Sequence, residues 1–98
     1  MSRAYTKEEV REQFLDHIRT LVDYWDNVGG RDSKDKLEGL AFSFLTLLDG
    51  CTCLPAFDIS PSPHPEDREY YQENGENWYE DNMVINDDTM MHEIFCKK

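Results

Sequence analysis

Basic residues are scarce in this chain: Lys and Arg number 10 against 21 Asp and Glu, which gives a formal net charge of −11. Such a chain repels the phosphates of a nucleic acid, so direct nucleic-acid binding is not expected. Long apolar runs are also missing, since no stretch approaches the roughly 18 residues that cross a membrane, and the charged start is unlike a secretory signal. We expect a soluble, cytoplasmic protein with no membrane partner.

Cysteine is rare as well, and three thiols do not make a disulfide framework. A zinc-stabilised domain or a small metal-dependent enzyme remains an alternative, and its ligands would be Cys51, Cys53, His64, His92 and Cys96. The Cys-x-Cys spacing is shorter than in common zinc knuckles, and a thiol before an apolar segment often packs as a small hydrophobe. The favoured interpretation has no metal, no cofactor and no catalytic residue.

The apolar residues that do occur are concentrated in SKDKLEGLAFSFLTLLDG, residues 33–50. Their helical spacing predicts a helix that other parts of the chain must cover, with Ser33 as N-cap and Gly50 ending it in a left-handed conformation. A capping-box pattern at Thr6 and Glu9 predicts an earlier amphipathic helix, about Lys7 to Asn27. The short connection between the two helices predicts an antiparallel hairpin.

Beyond Gly50 the pattern changes, because three prolines in 61–65 favour an extended or turn conformation. A short helix is expected from Pro65 to about Glu73, and pairing of 83–85 with 57–59 would form a minimal two-stranded sheet. A last helix around 90–95 would be capped by Asn86, Asp87 or Asp88. The predicted fold is α+β and mainly α: one domain, 1–98, in which 51–98 covers the hairpin of 6–50.

Negative charge is concentrated in the second half, where residues 64–95 hold ten acids and Arg68 as the only base. Tyrosines lie among these acids, a composition suited to docking on Arg and Lys of another protein. Two alternatives involve no partner: the acids only keep the chain in solution, and the aromatic rings cover the hairpin. The candidate partner-binding residues are Glu66, Asp67, Glu69, Tyr70, Glu73, Glu76, Tyr79, Glu80 and Asp81.

The blocks LEGLAFSFLTLLDG, LPAF, HPEDREYYQENGENWYEDN and HEIF occur in this order over roughly residues 25–95. In these blocks the chain resembles a group of small uncharacterised bacterial and phage proteins. The resemblance implies a shared fold and a bacterial or phage origin, and it carries no activity or catalytic residue across.

These observations favour a non-enzymatic protein-binding or inhibitory module, a monomer or small homo-oligomer, whose partner is a basic protein surface. If its origin is phage, it would act as a DNA mimic on a host nucleic-acid-binding protein. Besides the metal-dependent alternative, an oligomeric structural component that associates through the flank of the 33–50 helix stays open.

Overall fold

The computed structural model describes residues 2–97 and is 52% helical. Its helices are α1 (Lys7–Asp26), α2 (Ser33–Leu48), α3 (Pro65–Glu73) and α4 (Met91–Phe95). No strand occurs in this part of the chain, so the prediction of an α+β fold is wrong. Among the same residues, no helix is long and apolar enough to cross a membrane.

The first helix begins as its sequence predicts. The Thr6 hydroxyl accepts a hydrogen bond from the backbone N–H of Glu9, and the Glu9 carboxylate accepts one from the N–H of Thr6. The guanidinium of Arg3 lies 2.7 Å from the same carboxylate. This reciprocal cap satisfies donors that the first helical turn cannot pair internally.

The second helix differs from its prediction at the N-terminal cap. Asp32, not Ser33, is the N-cap residue, and its carboxylate accepts a hydrogen bond from the N–H of Asp35. Both side chains are competent caps, so the local sequence leaves an ambiguity of one residue. At the other end Gly50 has φ of 81°, the left-handed conformation that was predicted.

Contacts between α1 and α2 run in opposite order along the two helices. The Phe14 and Phe44 rings are 6.1 Å apart, whereas Trp25, later in α1, lies against Gly39, earlier in α2. The Trp25 indole N–H also donates to the Ser43 hydroxyl at 2.9 Å. A Cβ at Gly39 would overlap the Trp25 ring, so glycine is what lets the indole lie against α2. The hairpin is therefore antiparallel, as predicted.

Residues 51–57 and α4 pack against this hairpin. The Phe57 N–H donates to the Leu48 carbonyl at 3.0 Å, and the Phe57 ring lies 5.1 Å from that of Phe14. On another side of α2, the Phe42 ring meets the imidazole of His92 edge to face at 5.4 Å. Together these elements form one compact unit, which comprises the described parts of Met1–Phe57 and Met90–Lys98 and which we call the helical unit.

The cap predicted for the last helix is wrong. Helix α4 begins at Met91 with Met90 as its N-cap residue, and Met90 has no side-chain oxygen to offer. The first N–H groups of α4 bond instead to the carboxylate of Asp49, at the end of α2. A distant side chain has replaced the local candidates Asn86, Asp87 and Asp88.

The second compact unit is Asp58–Thr89, and it contains α3. Pro65 occupies the first turn of α3, and His64 caps it by accepting the Glu66 N–H on Nδ1 at 3.2 Å. Gly75 follows the helix with φ of 69°. The expectation of a single domain over 1–98 remains a prediction.

The predicted pairing of 57–59 with 83–85 does not form a sheet. The N–H of Ile85 donates to the Ile59 carbonyl at 2.9 Å, but the N–H of Ile59 donates to the side-chain oxygen of Asn86 at 2.9 Å. A ladder needs successive backbone bonds, and Pro61 and Pro63 supply no donor beyond this point. Within the second unit, Ile59 therefore lies beside residues 85–86 and is joined to them partly through the Asn86 side chain.

Candidate functional site

One side of α3 carries the densest group of predicted partner-binding residues. Glu66, Glu69, Tyr70 and Glu73 are spaced i, i+3, i+4 and i+7, so they share one helix face, which we call the acidic face. All four are exposed, and Tyr70 keeps 61% of its surface accessible. The three carboxylates lie within one or two turns of each other, where like charges at i+3 and i+4 destabilise a helix.

The opposite side of α3 packs within its own unit. Arg68 reaches the Asp81 carboxylate at 3.2 Å, and its guanidinium carbon lies 5.8 Å from the centroid of the Trp78 ring. This cation–π and ion-pair arrangement engages Arg68, the one base between residues 58 and 89. The acidic face therefore has no base of its own unit to neutralise it.

The remaining predicted partner-binding residues are exposed too: Asp67, Glu76, Tyr79, Glu80 and Asp81. Tyr79 is 65% exposed, whereas Trp78 beside it is 40% exposed and stacked against Arg68. In all, the ten acidic side chains of residues 58–89 are exposed. In this unit carboxylates, which can pair with Arg or Lys, therefore lie beside exposed tyrosine rings, a residue type enriched among the dominant contacts of interfaces.

The residues of the metal alternative are not gathered into one site. Among residues 2–97, no group of three or more His, Cys, Asp or Glu could hold a metal ion. The free thiols of Cys51, Cys53 and Cys96 are exposed, while His64 caps α3 and His92 bonds to Asp49. The described residues therefore offer no three-ligand set for zinc.

A buried polar pair that the sequence did not indicate joins α2 to α4. The Asp49 side chain is 1% exposed, and one of its oxygens, Oδ2, lies 2.6 Å from Nδ1 of His92. The same carboxylate accepts hydrogen bonds from the N–H groups of Met91 at 3.0 Å and His92 at 2.9 Å. Three donors thus converge on one carboxylate, which satisfies both of its oxygens.

The ionisation of Asp49 follows from this environment. Burial acts to raise the pKa of the carboxyl group, but the hydrogen bonds from the N–H and the imidazole of His92, together with that from Met91, outweigh it. The pKa therefore lies below the ordinary value of 3.8. The pair orients α4 on the hairpin. An Asp–His pair serves nucleophilic catalysis only beside a nucleophile, and no Ser, Thr or Cys is bonded to this imidazole in the described chain.

The helical unit also contains a cavity of about 700 Å³, within the range of small-molecule pockets. Its lining includes three aromatic rings, and its charged residues are Arg31, Asp35 and Glu38. Two carboxylates and one guanidinium do not define a site for one kind of ligand. The cavity assigns no ligand class to the protein.

The chain matches no protein-family model, no curated protein and no solved structure. The resemblance to small bacterial and phage proteins stays a prediction.

Proposed function

We propose that the protein is a non-enzymatic binding module whose acidic face on α3 docks on a basic surface of another protein. One observation carries the proposal: three exposed glutamates share one side of α3 with the exposed Tyr70. Their mutual repulsion has no structural benefit within the unit, and Arg or Lys side chains of a partner would relieve it. Tyr70 would be the anchor of the interface, because large rings dominate binding energy.

Tyr79, Glu76 and Glu80 would extend the interface beyond α3, while Asp81 stays paired with Arg68. A field from nine excess negative charges would also speed the encounter with a basic partner, with a strong dependence on salt. If the chain is of phage origin, the basic partner surface would be the nucleic-acid site of a host protein. The module would then inhibit that protein by occupying the site.

The test is affinity capture from a bacterial lysate on the immobilised chain, repeated with a variant in which Glu66, Glu69 and Glu73 are all changed to Gln. A matched control neutralises three exposed acids of the hairpin, Glu8→Gln, Asp23→Asn and Glu38→Gln, which removes the same number of negative charges. Each captured protein is then titrated with wild type and variants from about 0.05 to about 0.5 M salt.

The proposal requires a captured protein whose own pI is basic, whose affinity falls with salt and whose binding is lost in the α3 variant but retained in the control. Competition by duplex DNA would identify its nucleic-acid site as the docking surface. Equal losses in both variants, or affinity indifferent to salt, would refute docking through the acidic face.

A further inference from the structure

Helix α4 has little support of its own. It has five residues, whereas α1 has 20 and α2 has 16. Helices shorter than about 12 residues are unstable alone in water. Every residue of α4 is exposed or half-buried, and Ile94 and Phe95 are 48% and 42% exposed. Helix α4 therefore depends on its attachment to α2 to remain folded.

This attachment is concentrated at the N-terminal end of α4. The N–H groups of Met91 and His92 donate to the Asp49 carboxylate, and Nδ1 of the imidazole lies 2.6 Å from the same group. The imidazole also meets the Phe42 ring edge to face, with 5.4 Å between the centroids. Met90, the N-cap residue, contributes no side-chain hydrogen bond. Because three hydrogen bonds converge on one carboxylate, they break together when α4 moves away from α2.

The hairpin has supports that do not involve α4. Thr6 and Glu9 cap α1, and Asp32 caps α2. Between the two helices, the Trp25 indole donates to the Ser43 hydroxyl. These interactions persist when α4 is detached. Elements that are held by separate sets of interactions open with separate free energies.

Helix α4 also forms one wall of the cavity of about 700 Å³ in the helical unit. Trp25, Gly39 and Phe42 line the cavity from the hairpin, and Ile94 and Phe95 line it from α4. Detachment of α4 would remove this wall and separate the Phe42 ring from the imidazole that packs on it. The position of α4 therefore determines whether the cavity is closed or is an open aromatic surface of the hairpin.

We propose that α4 is a lid: it detaches from α2 as one unit while α1 and α2 remain paired, and its detachment opens the cavity. Asp49 is the positioning residue that keeps the lid closed, through the three hydrogen bonds that it accepts. The closed form is the one in the structure, and the open form is a minor state of the folded protein.

The test is amide hydrogen exchange of the full chain, followed residue by residue by NMR. In the wild type, the amides of Met91 and His92 should exchange at least about 100-fold faster than that of Phe44 in α2, yet at least about tenfold slower than unprotected amides. Low concentrations of urea should accelerate exchange at Phe44 and leave the two α4 amides nearly unchanged, because opening a five-residue lid exposes little surface. Amides of α4 that are as protected as Phe44, or not protected at all, would overturn the proposal.

A substitution far from α4 separates the lid from the hairpin. Thr6→Ala removes the cap of α1, so exchange at Phe44, which requires the hairpin to unfold, should accelerate about fivefold. Exchange at Met91 and His92 should stay within about twofold of wild type, because the lid opens without breaking that cap. Equal acceleration at all three amides would mean that α4 detaches only when the whole unit unfolds, which contradicts the proposal.

Asp49→Asn keeps the shape of the side chain but removes its charge. Exchange at His92 should accelerate at least about tenfold, because hydrogen bonds to a neutral oxygen are weaker, and the Trp25 indole N–H signal should move as the cavity opens. Asp58→Asn, at an exposed carboxylate, is the matched control and should leave exchange at His92 within about twofold.

Unchanged exchange at His92 in Asp49→Asn would refute the role of this carboxylate, and an unmoved Trp25 signal would refute the opening of the cavity. None of these measurements needs a partner. This proposal and docking through the acidic face can therefore fail separately.

Discussion

The helical unit and residues 58–89 differ in charge and in how they are held together. The helical unit has eleven acids and nine bases, whereas residues 58–89 have ten acids and only Arg68 as a base. The helical unit contains the buried side chains Leu47, Leu48 and Asp49, while every residue of 58–89 is exposed or half-buried. The buried side chains therefore lie in the helical unit, whereas most of the excess negative charge lies in residues 58–89.

This difference predicts whether a substitution should change stability or partner binding. A region without a buried residue has little apolar contact to lose, and its carboxylates are available to a partner. A region with a small core depends heavily on each buried group. Substitutions in the helical unit should thus change stability, and substitutions in 58–89 should change binding.

The largest effect is expected from Leu47→Ala. Leu47 is 0% exposed, so the substitution should lower the free energy of unfolding by about 2–5 kcal/mol through lost contacts and a cavity. Ile85→Ala removes apolar atoms from a residue of the other unit that is 44% exposed, and it should cost less than about 1 kcal/mol. Urea unfolding followed by circular dichroism measures both. Comparable losses would show that 58–89 contributes to stability as much as the hairpin does.

Asp49→Ala should have the next largest effect, about 2–3 kcal/mol, because the N–H groups of Met91 and His92 lose their acceptor. Asp58→Ala, which removes an exposed carboxylate, is the control and should stay within about 0.5 kcal/mol. Urea unfolding measures these differences as well. If Asp49→Ala is as stable as its control, the carboxylate does not secure α4.

The pH dependence of the same site has a defined sign. The pKa of Asp49 is lower in the folded chain than its ordinary value of 3.8, so the unfolded chain binds the proton more readily. The stabilisation is therefore fully present above 3.8 and is lost as the pH falls through the folded pKa. The stability difference between wild type and Asp49→Asn should be constant above about pH 5 and should shrink in acid. A difference independent of pH would mean that ionisation of Asp49 adds nothing.

The smallest effect is expected from Arg68→Ala in residues 58–89. Its ion pair with Asp81 and its stacking on Trp78 are partly exposed, so the loss should be under about 1 kcal/mol. Heteronuclear NMR should show the indole N–H signal of Trp78 moving while that of Trp25 in the hairpin stays in place. Arg68→Lys is the control that keeps the charge. Movement of both indole signals would show that the effect of the substitution is not confined to residues 58–89.

Features that depend on a few neighbouring residues were predictable from the sequence. The capping box of Thr6 and Glu9, the start of α3 at Pro65 and the left-handed Gly50 were all predicted. They are confirmed because each involves groups within about four residues of one another. The Asp32 cap was missed by one residue for the same reason, since two adjacent side chains could both serve.

Features that depend on distant residues were not predictable. Met83–Ile85 has the apolar composition of a strand, but the Asn86 side chain takes the Ile59 N–H that a ladder would have used. Likewise, the need for a residue without a Cβ at position 39 becomes clear only in the fold, where the Trp25 ring lies against Gly39. A sequence pattern does not predict which donor will form a hydrogen bond with which acceptor when the two are distant along the chain.

By itself, the sequence determined the helical hairpin, the excess of acids in 58–89 and the spacing that places three carboxylates beside Tyr70 on α3. Only the tertiary structure decided that Asp49 caps α4 from a distance of more than 40 residues along the chain and that Leu37 stays uncovered. The physical reason is the separation along the chain over which each interaction acts. Helical periodicity and capping act between near neighbours, whereas burial and the pairing of buried polar groups depend on which surfaces meet.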